Sequence, residues 1–134
     1  METSNKIIHA AAAVIQRGDK FLITKRMETS PMGHCWEFPG GKIEAGETVE
    51  ECVVRECQEE IDVTVTPLRR LSLVEYDYPH GHIHLHFVLC DLPVGEPKTI
   101  QCREAKWIVP QEFKDYEFPP ADIGVIEDLL KAST

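Results

Sequence analysis

Glu56, Glu59 and Glu60 are the residues best placed to act together chemically. On a helix that advances roughly 100° per residue, Glu59 falls about 60° to one side of Glu56 and Glu60 about 40° to the other. Three carboxylates therefore share one sector within little more than a turn. Like charges at these spacings repel by about 0.2–0.5 kcal/mol per pair, which a solvated helix tolerates. The arrangement also suits a hard divalent cation, which takes oxygen ligands from carboxylates and phosphates. Glu-rich helix faces are more often plain solvated surface. Two neighbouring features weigh against that here. Gly40 and Gly41 precede the helix, where bare backbone lets a ligand approach closely. Arg55, beside Glu56, is spaced to reach back to Glu47 and hold the preceding loop on the helix.

The elements that must position these groups follow from periodicity and turn chemistry. Thr48 is a natural N-cap, with Glu51 three residues on completing a capping box. Val49, Val53, Val54, Cys57 and Ile61 line a flank that packs on a sheet, so the glutamates sit on a rigid element. Ile7–Gln16 and Lys20–Arg26 read as a hairpin around Arg17-Gly18-Asp19, and Met27–His34 as a loop. Trp36-Glu37-Phe38 is a short strand feeding the glycines. Further strands are expected at Val63–Thr66, Leu68–Tyr76, Ile83–Leu89 and Cys102–Val109. Ala121–Lys131 has helical spacing through Ile123, Ile126, Leu129 and Leu130.

His82, His84 and His86 alternate and so share one side of a strand. Three imidazoles could bind zinc, but no fourth ligand is evident, and the preferred reading is a pocket wall. Lys25 and Arg26 end a strand, where they either solubilise an edge or contact phosphate or sugar.

A chain of 134 residues with 43% hydrophobic content suits one compact domain, residues 1–134. A net charge of −9 argues against a nucleic-acid polymer or an anionic membrane as partner. It does not exclude a nucleotide, because a bound cation inverts the local field. Five cysteines without a C-x-x-C motif fit reduced thiols in a cytoplasmic protein. Met1–Lys6 is polar and the apolar run after it is short, so neither a signal peptide nor a membrane span is expected.

Gly41, five residues, Glu47, seven residues, Arg55-Glu56-Cys57-Gln58-Glu59-Glu60 and then Asp62-Val63 resembles the Nudix box. Two positions depart from it: Asp62 replaces the usual glycine, and Cys57 a larger aliphatic. More widely, the chain is similar to MutT-type Nudix enzymes through Ile23-Thr24-Lys25-Arg26, Trp36–Gly41, Ile83–His86 and Phe118–Asp122. The resemblance implies an α/β fold with a mixed β-sheet between α-helices. It implies Mg2+ dependence, with Mn2+ able to substitute, and hydrolysis of a nucleoside triphosphate to monophosphate and pyrophosphate by a monomer or homodimer.

On that resemblance Glu56, Glu59 and Glu60, with the Gly40 carbonyl, hold the metal. Arg55 and Glu47 complete the catalytic set, and Arg26, Glu37, Phe38, Pro39, Gly40, Tyr78 and Asp122 contact substrate. Tyr76 and Trp36 are further candidates to stack on or wall the base. Related enzymes carry a glutamate six residues before the late tryptophan; Gln101 stands there and Glu104 is the nearest carboxylate. The base role is therefore expected of Glu56 or Glu59. Asp122 stands where enzymes dedicated to oxidised guanine carry asparagine, and Pro120-Ala121-Asp122 resembles the CTP and 5-methyl-dCTP branch. An ionised aspartate accepts from cytosine N4 and opposes guanine O6. The alternatives are an 8-oxo-dGTP diphosphatase, an ADP-ribose or sugar-nucleotide hydrolase, and a nucleotide-binding module without catalysis. In the plainest alternative, Asp122 merely favours a helix N-terminus.

Overall fold

The computed structural model describes residues 6–133; Met1–Asn5, most of the polar start, and Thr134 lie outside them. Seven strands form one mixed sheet: β1 (Ile7–Arg17), β2 (Lys20–Lys25), β3 (Trp36–Glu37), β4 (Gly40–Lys42), β5 (Thr66–Tyr78), β6 (Gly81–Asp91) and β7 (Glu104–Ile108). Two helices, α1 (Val49–Ile61) and α2 (Ile123–Ala132), complete it. The path through the sheet is β3-β2-β1-β6-β5, with β4 on β1 and β7 on β2. Among the described residues only β1 and β6 pair in parallel, Ile7 opposite His82 through Gln16 opposite Asp91.

The near-continuous apolar run of β1 is buried on both faces, as a central strand between two layers requires. Ala11, Ala13 and Ile15 join Val49, Cys52, Val53, Cys57 and Ile61 in a core beneath α1. Ala12 and Val14 face a second core of Phe21, Phe38, Phe87, Phe113, Phe118 and Ile126 beneath α2. No helix among the described residues is long and apolar enough to cross a membrane.

Two expectations need correction. Val63–Thr66 is not a strand. Asp62 turns the chain with φ 54°, Val63 and Val65 drop their side chains into the core, and pairing begins only at Thr66. The last helix begins at Ile123, because Pro119 and Pro120 set up a tight 3-10 turn over Pro120–Asp122 first. Gly40–Lys42, which holds the glycine pair before the helix, is itself a strand paired with Ala10–Ala12.

Candidate active site

Helix α1 is built as its caps require. Thr48 Oγ1 accepts from the Glu51 backbone at 3.0 Å, and Glu51 Oε1 accepts from the Thr48 backbone at 2.9 Å. At the other end Asp62 takes the left-handed conformation of the glycine it replaces, and its amide donates to the carbonyls of Cys57 and Gln58. The amides of Ile100 and Gln101, both 3.1 Å away, close on the Glu60 carbonyl. Gln101 thus caps the helix through its backbone, while Glu104 is exposed on β7. Cys57 is fully buried on the sheet side, where a small side chain fits.

Arg55 is the hub of the acidic ridge. Its Nε donates to Glu47 Oε2 at 2.7 Å and its Nη2 to Glu47 Oε1 at 3.0 Å, a two-pronged grip. Nη1 reaches Glu56 Oε2 at 2.9 Å and Glu59 Oε1 at 3.1 Å, and Nη2 also meets the Lys42 carbonyl at 3.0 Å. The hydrogen bonds from Arg55, then one from the Glu44 backbone, hold the Glu47 carboxyl down at about 2. Lys42, which sequence reasoning passed over, ties this loop to the helix through that carbonyl.

The glycine pair is required by close approach. A Cβ on Gly41 would lie 2.5 Å from the Glu56 carboxylate, and one on Gly40 would strike the Ala11 and Ala12 backbone. Glu60 is buried behind Glu56. Burial first, then its hydrogen bond with Glu56 and the charges of Glu37 and Glu56, push its carboxyl up to about 10. Glu37 is also raised, by burial above all, although Arg26 opposes the shift.

The ridge fits a hard divalent cation. Its donors are all carboxylate oxygens, and Glu60 is crowded against Glu56 in a way that a nearby dication would relieve. Glu59 is turned to Arg55. Glu56, Glu59 and Glu60 are not among the triads of described residues whose ligand atoms lie within 4.8 Å of one another. To share an ion the three carboxylates would have to draw closer than they stand here, where Arg55 holds both Glu56 and Glu59.

Beside the ridge lies a cavity of about 480 Å³. Arg26, Glu37, Phe38, Gly40, Tyr78 and Asp122, all expected at the site, line it. Arg26 pairs with Glu37 and donates to the Pro31 carbonyl at 2.9 Å. Tyr78 Oη accepts from the Ala121 amide at 2.9 Å, fixing its ring beside Asp122. Asp122 makes no side-chain cap to α2 and is 5% exposed. Burial, then the Glu37 charge, pushes its carboxyl up to about 8, with Arg26 opposing. A groove of about 570 Å³ lined by Gln16, Arg69 and Leu129 contains none of the ridge residues.

Several assignments change. Pro39 is fully buried, spends its carbonyl on the Ala13 amide at 2.7 Å, and is absent from the cavity wall. Phe38 touches the cavity but packs among Phe87, Phe113 and Phe118, so it is wall and core together. Trp36 is buried against Tyr116, and Tyr76 packs at a tilt against Tyr78 outside the lining. The histidines of β6 are not the pocket wall. Ile83 and Leu85, the alternate residues, line it, while His82, His84 and His86 share the α1 side with Val88 and Cys90. The apolar floor of Ile8, Ile83 and Leu85 was missed, though the same alternation carried the signal.

A mixed sheet between helices, with a glutamate-rich helix beside a nucleotide-sized cavity, defines the class of MutT-like folds. The MutT protein of Methanosarcina mazei Go1 superposes with a TM-score of 0.85, covering 99% of each chain at 22% identity. The chain belongs to the Nudix family, whose NUDIX domain model matches residues 10–128. It is 36% identical over 126 residues to an 8-oxo-dGTP diphosphatase of Escherichia coli K12, spanning 94% of this chain and 98% of that protein. It is 31% identical over 125 residues to a CTP pyrophosphohydrolase of the same organism, spanning 93% of each. The solution structure of the E. coli ORF135 protein matches at 30% identity and a TM-score of 0.81, covering 96% of this chain and 92% of that one. The family and its relatives make this chain a hydrolase acting on acid anhydrides.

Proposed function

We propose that this chain is a Mg2+-dependent nucleoside triphosphate pyrophosphohydrolase that releases monophosphate and pyrophosphate, acting on cytosine nucleotides such as CTP, dCTP or 5-methyl-dCTP. The observation that carries the reaction is the fork of Arg55 on Glu47, which holds Glu56 and Glu59 beside the cavity. Phosphoryl transfer needs positioning and charge neutralisation more than covalent help. Mg2+ held by Glu56, Glu59, Glu60 and the Gly40 carbonyl would neutralise the polyphosphate and acidify the attacking water. Glu59, the most exposed of the three, is the carboxylate that would accept a proton from the attacking water, and Arg55 keeps Glu56 oriented. Arg26 and Glu37 bind the nucleoside from the cavity wall.

Asp122 selects the base, by a different route from the one its ionised form suggests. Burial and the Glu37 charge raise its carboxyl to about 8 and so favour the protonated form, which presents an O–H donor beside a carbonyl acceptor. Cytosine answers both, with N3 accepting and the N4 amine donating. The resemblance of Pro120-Ala121-Asp122 to the CTP branch supports this choice. The second reading is 8-oxo-dGTP. Its O6 accepts and its N7–H donates, and the 36% identical relative is named for that substrate. Ordinary guanine offers two acceptors there, a mismatch worth about 1–3 kcal/mol.

The test is pyrophosphate release from dCTP, 5-methyl-dCTP, 8-oxo-dGTP, dGTP and ADP-ribose, with and without Mg2+. Preference for dCTP or 5-methyl-dCTP supports the proposal, and preference for 8-oxo-dGTP the second reading. Activity confined to ADP-ribose, or binding without release, overturns both.

A further inference from the structure

On the side of the sheet that α1 covers, β5 and β6 carry a patch of imidazoles and carboxylates that hydrolysis does not use. Glu75 stands directly opposite His84 in the antiparallel ladder, and Asp77 directly opposite His82. One ligand atom from each of Glu75, His82 and His84 lies within 4.8 Å of the others. His84 Nε2 is 3.7 Å from Glu75 Oε1. Two ligands of a tetrahedral zinc, each about 2.1 Å from the metal, lie about 3.4 Å apart, so little adjustment separates this pair from a bound state.

We propose that Glu75, His82 and His84 form a binding site for a divalent transition-metal cation of the zinc type, distinct from the acidic ridge. Asp77 supplies the support such a site requires. Its Oδ1 is 2.8 Å from His82 Nδ1, which fixes the ring and leaves Nε2 to bind the metal. Two imidazoles and a carboxylate suit zinc, whose fourth position water can fill, and suit Mg2+ poorly. The third protein ligand, Glu75, comes from the neighbouring strand β5 rather than from β6. His86, the next histidine on that side, lies near Arg70 and Glu50 and stays outside the set. Because Tyr78 and Ile83 line the cavity from the other face of the same hairpin, a metal here would brace the strands that shape the base pocket.

One other described group, His34, Cys35 and Glu117, has comparable spacing. Its thiol is 3% exposed and is pushed up by burial and by Glu117, which disfavours the thiolate that a metal needs.

The experiment is calorimetric titration of the purified protein with Zn2+ in excess Mg2+, which keeps the hard oxygen site filled. Co2+ absorption reports the coordination geometry. Wild type should take up one equivalent at micromolar Zn2+, with tetrahedral Co2+ bands. His84→Ala and His82→Ala should each weaken binding by ~10-fold or more, and Asp77→Ala by about 10–100-fold. Glu59→Gln and His34→Ala should leave the isotherm unchanged, and His84→Ala should keep normal Mg2+-supported hydrolysis. No uptake by wild type, unchanged uptake in both histidine variants, or uptake lost in Glu59→Gln or His34→Ala would overturn the proposal.

Discussion

Arg55 grips both oxygens of Glu47, at 2.7 and 3.0 Å, and from the same guanidinium reaches Glu56 and Glu59. One side chain thereby sets the loop before α1 and the carboxylates along it. Removing it should disorganise the ridge while sparing the core, which lies on the other flank of the helix. Arg55→Ala should cut kcat/KM by about 10²-fold, the scale that misplacement of a catalytic group commands. Arg55→Lys should rescue little, since an ammonium cannot make the fork.

The pH behaviour of Glu47 follows from the same contact. Its carboxyl sits at about 2 against an ordinary 4.5, so the pairing contributes in full above 4.5 and is lost as pH falls through 2. Carboxyl-carbon NMR should find that low value in wild type and a return toward 4.5 in Arg55→Ala. A value near 4.5 in both would mean that the fork is not held in solution.

If Glu59 takes the proton from the attacking water, Glu59→Gln should lower kcat at saturating Mg2+ by ~10²-fold or more. Glu104→Gln, altering an exposed strand residue, should cost far less. A near-normal rate in Glu59→Gln would move the base elsewhere.

The two glycines before α1 should fail in different ways. Gly41→Ala pushes a methyl group against the Glu56 carboxylate, a movable group, so turnover should fall while the melting temperature stays near wild type. Gly40→Ala drives a methyl group into the Ala11 and Ala12 backbone, which cannot yield. It should destabilise the fold by about 3 kcal/mol or more, measured by urea unfolding.

Asp122 should make stability fall with rising pH. Its folded value of about 8 exceeds the ordinary 3.8, so the fold favours the protonated form; the benefit is complete below 3.8 and lost as pH rises through 8. Asp122→Asn should flatten this trend, with a difference on the order of a few kcal/mol between pH 5 and 9 in urea melts. Wild-type kcat/KM on dCTP should also fall above pH 8 while the Asn variant holds. Parallel pH profiles for the two proteins would contradict the donor role.

Much of this was legible in the sequence, for physical reasons. Spacing along α1 determines which residues share its ridge, and Thr48 and Glu51 announce its start, so both could be read directly. Gly40–Lys42 could not be read as a strand, because glycine is a poor strand former and pairs here only because it permits contact with Ala10–Ala12. Alternation put His82, His84 and His86 on one side of β6, but only the pairing with β1 and the seat of α1 determine which side that is. The ionisation of Asp122 depends on burial among residues distant in the chain, which spacing does not reveal.

The most direct test of the acidic ridge is a crystal grown with Mg2+ and a nonhydrolysable dCTP analogue. The cation is expected on Glu56, Glu59 and Glu60 with the phosphates against it, Glu59 drawn away from Arg55, and the base beside Asp122. A nucleotide bound with its cation anywhere else, and the ridge still closed on Arg55, would contradict that placement.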